Sequence, residues 1–277
     1  MIPFHFRIWE AADFIRKQIN DVPRHAVFLG TGLKDITNEF EITNQIPLRS
    51  IPHFPTMTVK HMDATLYVAL IRDVPTWIIG GRLHYYEGYS IEAVTFPVRM
   101  MADAGTEAFF FTNAAGNVNP EWRTGDLVLI HDHINWSFPS PLRGENRAEW
   151  GDRYPIMEDV YTPSINSNLL NFATQQGIRL HTGVYLGLTG PQLETTAEYR
   201  LFRKLGADMI GMSTIPEVIV AGHMKRHVTG LSVLSNDASG VQISPARVED
   251  MLKTIREKNK EVTALIRHWA SLDLISN

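Results

Sequence analysis

The sequence predicts an α/β fold built as one layered domain. Short apolar runs recur along the chain, and the first is closed by glycine, as suits buried strands of a parallel sheet. Stretches with helical spacing lie between several of them, the alternation expected of α/β layers. No internal repeat, low-complexity tract or Gly/Ser linker divides residues 1–277, so a single domain is expected.

Taken in order, Phe6 to Ile19 has helical spacing, with Ile8, Ala11, Ala12, Ile15 and Ile19 on one stripe. Ala26-Val27-Phe28-Leu29 reads as a strand ending in Gly30-Thr31-Gly32. Further strand-like runs are Trp77–Ile79, Ala108–Phe111, Leu127–Ile130, Val184–Leu186 and Val228–Leu234. Helical patterns cover Ile91–Ala104 and Thr195–Leu205. The longest runs from about Pro245 to Ser271, with Val248, Met251, Leu252, Ile255, Val262, Leu265, Ile266 and Trp269 on one face. Ser244 and Pro245 suit its cap and first turn. Pro139 to Asp159 is long, polar and rich in Pro and Arg, and ordered loops of that length are usually functional or at interfaces.

Composition excludes several classes. The hydrophobic fraction is 44% and the charged fraction 20%, as in ordinary globular proteins. A formal net charge of −4 gives no general attraction to nucleic acid or anionic membrane. The absence of cysteine removes disulfides, thiolate nucleophiles and thiolate metal sites. No apolar signal core follows the start, and no stretch approaches the roughly 18 apolar residues of a membrane span. A cytoplasmic protein is expected.

The chemistry-bearing motifs cluster after apolar runs. Gly30-Thr31-Gly32 can bring backbone and a hydroxyl to an anion, or be a plain strand-to-helix turn. It completes neither a Walker-type loop nor the three-glycine dinucleotide fingerprint, which disfavours a dehydrogenase. Gly80-Gly81-Arg82-Leu83-His84-Tyr85-Tyr86-Glu87 delivers an Arg fork and a His whose tautomer Glu87 can hold. The same loop could carry only a structural ion pair. Asn113-Ala114-Ala115-Gly116, after a strand, leaves room for a ligand or forms a tight turn. His131-Asp132-His133 lacks a third ligand at a recognisable spacing and reads as structural; no metal is expected. Gly211-Met212-Ser213-Thr214 opens a helix after a strand, a good anion seat, but completes no nucleophile elbow. Glu194 begins a helix and could be a first-turn charge; Asn236, just past a strand, could be a turn residue.

In order along the chain, these motifs resemble the trimeric class of purine nucleoside phosphorylases. The match runs from about Ala26 to Val248. Its strongest pieces are Gly81–Tyr89, Thr95-Phe96-Pro97-Val98-Arg99, Thr112–Gly116, Gly190–Thr195 and Gly206–Val218. The resemblance implies a three-layer α/β/α domain around a central mixed, largely parallel sheet. It implies phosphorolysis of 6-oxopurine nucleosides such as inosine and guanosine, with phosphate as co-substrate and no cofactor. It also implies a homotrimer with shared active sites.

Residue roles follow from the same resemblance. Thr31, His61, Arg82, His84, the Ala114 backbone and Ser213 match phosphate ligands. His61 stands in a mobile-loop position whose surroundings, Val59-Lys60-His61-Met62, depart from the family's Pro-Gly-His pattern. Tyr86 and Met212 match sugar contacts. Glu194 and Asn236 match the base-reading pair, and with His84 form the expected catalytic set. Leu193 stands where many members place an aromatic on the base. Tyr154 matches an aromatic that reaches the neighbouring subunit's site. Members that use ordinary nucleosides carry a histidine near the start of the last helix; here that position falls on Val248. Methylthio-nucleoside phosphorylases also favour a small apolar residue there, and they are the alternative reading, although they lack the Glu194 and Asn236 pair. A binding protein without catalysis is a second rival, disfavoured by the full phosphate set.

Overall fold

The computed structural model describes residues 2–56, 65–238 and 247–274. Among these, the strands are β1 (His25–Phe28), β2 (Glu41–Pro47), β3 (Thr65–Ile71), β4 (Val74–Ile79), β5 (Ala108–Asn117), β6 (Leu127–Asn135), β7 (Leu180–Gly187), β8 (Met209–Gly211) and β9 (His227–Asp237). The helices are α1 (Phe4–Lys17), α2 (Ile91–Ala104), α3 (Pro163–Gln176), α4 (Thr196–Lys204), α5 (Ile215–His223), α6 (Val248–Glu257) and α7 (Asn259–Ala270).

One sheet takes the order β2-β3-β4-β1-β5-β8-β7-β6-β9, and β9 also pairs with β5. That last pairing closes β5, β8, β7, β6 and β9 into a ring, with β1, β4, β3 and β2 extending from it. The sheet is mixed: β1 runs parallel to β4 and β5, β5 to β9, β6 to β7 and β7 to β8. The pairs β2–β3, β3–β4, β5–β8 and β6–β9 are antiparallel.

The apolar runs are continuous because both faces of the sheet are covered. Successive strand side chains point to opposite faces. Ala26, Phe28, Phe109 and Phe111 join the core under α1, α2 and α5. Val27, Ala108 and Phe110 join a second core under α3, α6 and α7. Helix–sheet–helix layering is thus a consequence of strands with no polar face. Helix α2 shows how tightly local signals set an element. The Ser90 hydroxyl accepts from the Ala93 amide at its start, and Gly105 (φ 123°) takes the turn at its end.

Several boundaries differ from those expected. Helix α1 lies two residues earlier than Phe6–Ile19, starting after Pro3. The predicted Pro245–Ser271 helix is two helices broken at Lys258, because Lys258 and Asn259 interrupt the apolar stripe between Ile255 and Val262. Its proposed Ser244 and Pro245 start lies outside the described residues. Asn113–Gly116 does not follow a strand but completes β5, and Asn236 lies within β9. The strands β2 and β3 and the helix α3 were not anticipated, and β8 was expected only as the strand before the Gly211–Thr214 motif. Pro139–Asp159 contains neither helix nor strand. His131 is exposed, and His133 Nδ1 meets the Tyr161 hydroxyl at 3.1 Å. Among the described residues no cluster could hold a metal ion, and no helix is long and apolar enough to cross a membrane.

Candidate active site

The site assembles where β1, β4, β5, β8 and β9 end. Gly30 closes β1 against β5. A Cβ there would stand 2.6 Å from the Thr112 carbonyl oxygen, so only glycine lets the two chains pass. The Gly30 amide donates to the Thr112 hydroxyl at 2.8 Å.

Arg82, just past β4, is almost fully buried. Its Nε donates to Glu217 at 3.1 Å and one Nη donates to the Thr112 carbonyl at 2.6 Å. The other, Nη2, is buried with no acceptor in the chain. A buried guanidinium nitrogen of this kind calls for an anionic ligand. Glu217 also accepts from the Thr214 amide at 3.0 Å. The network continues: Asn113 donates to the Thr214 hydroxyl at 3.0 Å, and Ser232 donates to Asn113 at 2.7 Å. Thr214 has φ 71°, a left-handed conformation costly for a β-branched residue. These bonds over-determine it, and so fix Ser213 at the amino end of α5. The Ser213 amide donates to the buried Tyr185 hydroxyl at 3.3 Å.

His84 Nδ1 lies 3.1 Å from Glu87, and the Glu87 carboxylate also accepts from the His84 amide at 3.3 Å. The ring stacks on Tyr86, centroids 4.9 Å apart. Burial, then the Arg82 charge, push the imidazole below its ordinary range despite Glu87. A neutral ring with Nδ1–H on Glu87 presents a lone pair at Nε2.

The opposite end of the cavity depends on a β-bulge. Ala115 pairs with Leu234 but Gly116 pairs with Asn236, so Ser235 is the extra residue in β9. Such a bulge re-aims the following side chain. The Ser235 hydroxyl donates to Asn236 Oδ1 at 2.9 Å. With its oxygen engaged, the amide offers its NH₂ to a ligand. Glu194 immediately precedes the Thr195 cap of α4. The Thr195–Glu198 capping box holds that entry. Burial raises the Glu194 carboxyl above its ordinary range, opposed by hydrogen bonds from its own amide and from Tyr199.

A cavity of about 200 Å³ joins the two ends. Thr31, Arg82, His84, Tyr86, Ala114, Leu193, Glu194, Met212, Ser213 and Asn236 all line it. Val248 does not; it lines an adjoining cavity of about 370 Å³ that shares Thr31, Arg82, His84 and Tyr86. Tyr154 is 85% exposed and enters neither. His61 lies outside the described residues. Glu217, Thr214 and Ser235 were missed as functional. Glu217 sat inside a recognised motif, but its partner is 135 residues away. A serine carries no sign of a bulge.

The chain matches the Phosphorylase superfamily family model over residues 24–270. It is 42% identical over 254 residues to "Purine nucleoside phosphorylase 1" of Bacillus subtilis (strain 168), covering 92% of this chain and 93% of that protein. It is 39% identical over 267 residues to "Purine nucleoside phosphorylase 1" of Geobacillus stearothermophilus, covering 95% and 97%. Its fold superposes on isoform 2 of purine nucleoside phosphorylase from Schistosoma mansoni, solved with cytosine and ribose-1-phosphate. That match has TM-score 0.90 and 31% identity over 98% of each chain.

Proposed function

The chain belongs to the phosphorylase superfamily and has purine nucleoside phosphorylase activity, and within that activity we propose that it prefers 6-oxopurine nucleosides, inosine and guanosine. One observation carries the reading: Glu194 and Asn236 line the same cavity as Arg82, His84 and Ser213.

Phosphate is already an anionic nucleophile, so the difficult step is departure of the base. A phosphate oxygen bonds to C1′ as the C1′–N9 bond breaks, and the bonding electron pair passes into the purine. The sugar gains oxocarbenium character, which the phosphate stabilises where Arg82, Thr31, Ser213 and the Ala114 backbone hold it. His84 Nε2 accepts a hydrogen bond from the P–OH group, and the departing purine anion takes its proton from solvent. Asn236 donates to purine N7, where negative charge accumulates. A preorganised donor of this kind is worth roughly 3–4 kcal/mol of barrier.

Glu194 as carboxylate accepts the N1–H of hypoxanthine or guanine. Adenine has a lone pair at N1 and would face it with no hydrogen between them. Sites built for one hydrogen bond reject the mismatched partner by about 10⁴-fold. The kcat/KM of inosine over adenosine should show that order of discrimination. It should narrow as pH falls through the raised Glu194 pKa, because the protonated acid can donate to adenine N1. Glu194→Gln should abolish most of it at all pH values. Equal rates on both nucleosides at neutral pH would refute the assignment.

The second reading, a tolerance for 5′-modified sugars, rests on Val248. This residue opens α6, is 64% exposed and lines the cavity beside Tyr86 with no hydrogen-bonding group. A lost neutral hydrogen bond is worth about 0.5–1.5 kcal/mol. Thus 5′-deoxyinosine and 5′-methylthioinosine should be cleaved within roughly tenfold of inosine. A loss of about 1,000-fold, some 4 kcal/mol, would mean that another side chain reads the 5′-hydroxyl.

The working form proposed is a homotrimer in which the exposed Tyr154 reaches a neighbouring site. Sedimentation should give a trimer, and Tyr154→Ala should raise KM for nucleoside while sparing phosphate; an active monomer would contradict it.

A further inference from the structure

The entry to α4 carries a polar pair where helices commonly carry an apolar one. With Thr195 as the cap, Glu194 is the residue before the cap and Tyr199 the fourth residue of the helix. Side chains at these two positions meet at a helix start, and an apolar pair there fixes the entry angle of the chain. Both arms of the capping box are formed. The Thr195 hydroxyl accepts from the Glu198 amide at 3.2 Å, and the Glu198 carboxylate accepts from the Thr195 amide at 2.7 Å. The Tyr199 amide closes the first turn on the Thr195 carbonyl at 3.0 Å. This turn brings Glu194 and Tyr199 together, and the tyrosine hydroxyl donates to the carboxylate.

Tyr199 is anchored independently of Glu194. Its side chain packs against the core cluster that holds Leu186, Phe202, Ile210 and Ala238. Ile210 also lines the catalytic cavity, and Ala238 lies just beyond Asn236. The hydroxyl is thus tied to the same body that carries Asn236. Tyr199 does not line the cavity itself, so any effect on substrate passes through Glu194. Burial, then the Glu194 charge, push the phenol pKa up, and it stays a donor at any working pH. The charged groups around Glu194 do not replace this bond. Glu198 raises the Glu194 pKa. Arg82 and His84, on the cavity wall, are engaged by Glu217 and Glu87. Asp208, ahead of β8, accepts from Asn119 and from the Val184 amide. Arg200 and Arg203 on α4 and Asp237 on β9 are exposed.

Resting on the reading of Glu194 as acceptor of the purine N1–H, we propose that Tyr199 is a positioning residue for 6-oxopurine recognition, its hydroxyl holding the Glu194 carboxylate as an acceptor aimed at the base. A hydroxyl donating to a carboxylate is a charge-assisted bond that favours the ionised form. Without it, burial and the Glu198 charge act on Glu194 with less opposition, and its pKa rises further. A protonated Glu194 accepts less well from N1–H and can donate to adenine N1.

Tyr199→Phe keeps the ring and removes only the donor. At neutral pH and saturating phosphate, this variant should raise KM for inosine about tenfold with kcat nearly unchanged, as for loss of a hydrogen bond to a charged acceptor. The acid limb of kcat/KM for inosine should move up by about one pH unit, since that limb reports groups of the free enzyme. The ratio of inosine to adenosine turnover should fall, and KM for phosphate should stay the same. An acid limb that stays in place, with inosine and adenosine lowered alike, overturns the proposal and leaves Tyr199 a packing residue. Glu194→Gln separates failure of the proposal from failure of the reading beneath it. In that background Tyr199→Phe should change the inosine KM by less than about twofold, and an equal loss in both backgrounds overturns the coupling. If Glu194→Gln keeps the parent's discrimination between inosine and adenosine, Glu194 does not read the base and the proposal falls with that reading. If Glu194→Gln abolishes the discrimination while Tyr199→Phe preserves it, the proposal alone falls.

Discussion

Asn236→Ala should lower kcat/KM for inosine by on the order of 100-fold or more, mostly in kcat. The argument starts from the bulge at Ser235, which turns Asn236 into the cavity and ties up its Oδ1. In the proposed mechanism the remaining NH₂ meets N7 as charge develops there, so its worth is to be realised in the transition state rather than in the ground state. Ser235→Ala provides a graded control. It frees Oδ1 and lets the amide rotate, so it should cost less than Asn236→Ala and act on the same parameter. Steady-state kinetics on inosine at saturating phosphate checks both. Near-normal kcat in Asn236→Ala would remove this residue from the mechanism.

Arg82→Met should have the largest effect on stability. Its guanidinium and the Glu217 carboxylate lie 3.1 Å apart with side-chain exposures of 3% and 2%. Removing the cation leaves Glu217 buried and uncompensated, which costs about 3–5 kcal/mol. Urea unfolding should show a midpoint shifted down accordingly, and phosphate turnover should be lost. The double variant Arg82→Met/Glu217→Leu separates the two losses. Replacing both charges with apolar groups should restore the part of the stability lost to the uncompensated charge, but not the bonds to Thr214 and Thr112, and none of the activity. A single variant as stable as the parent chain would mean that the pair is not a closed electrostatic unit.

These two residues also mark what sequence reasoning reaches. Arg82 is legible because its local motif is distinctive, whereas Asn236 reads by itself as a turn residue and is reached only through the resemblance. Glu217 is not, because nothing near residue 217 reveals a partner at residue 82. The same division holds for the fold. Runs such as Ala108–Phe111 read as strands because both of their faces are buried, by two different cores. Strand β2, Glu41–Pro47, alternates with mostly exposed polar residues and among the described residues pairs only with β3, so it leaves a weak pattern. Strand β8 has three residues, too few to show any period. Helix α3 is polar enough that only Ile165, Asn166, Leu169 and Ala173 are buried. Ring closure through β5–β9 joins residues more than a hundred positions apart and has no local sign. Of the candidate site, most residues lining the shared cavity were named from motifs or from the resemblance. The bulge that aims Asn236 and the strained Thr214 that seats Ser213 arise only from tertiary pairing.

The central claim is that phosphate, not water, takes the sugar. Base release from inosine, followed with and without inorganic phosphate, tests it most directly. Hypoxanthine should appear only when phosphate is present, in amounts equal to the ribose 1-phosphate formed. Equal release in phosphate-free buffer, with free ribose as the product, would make the protein a hydrolase and contradict the account.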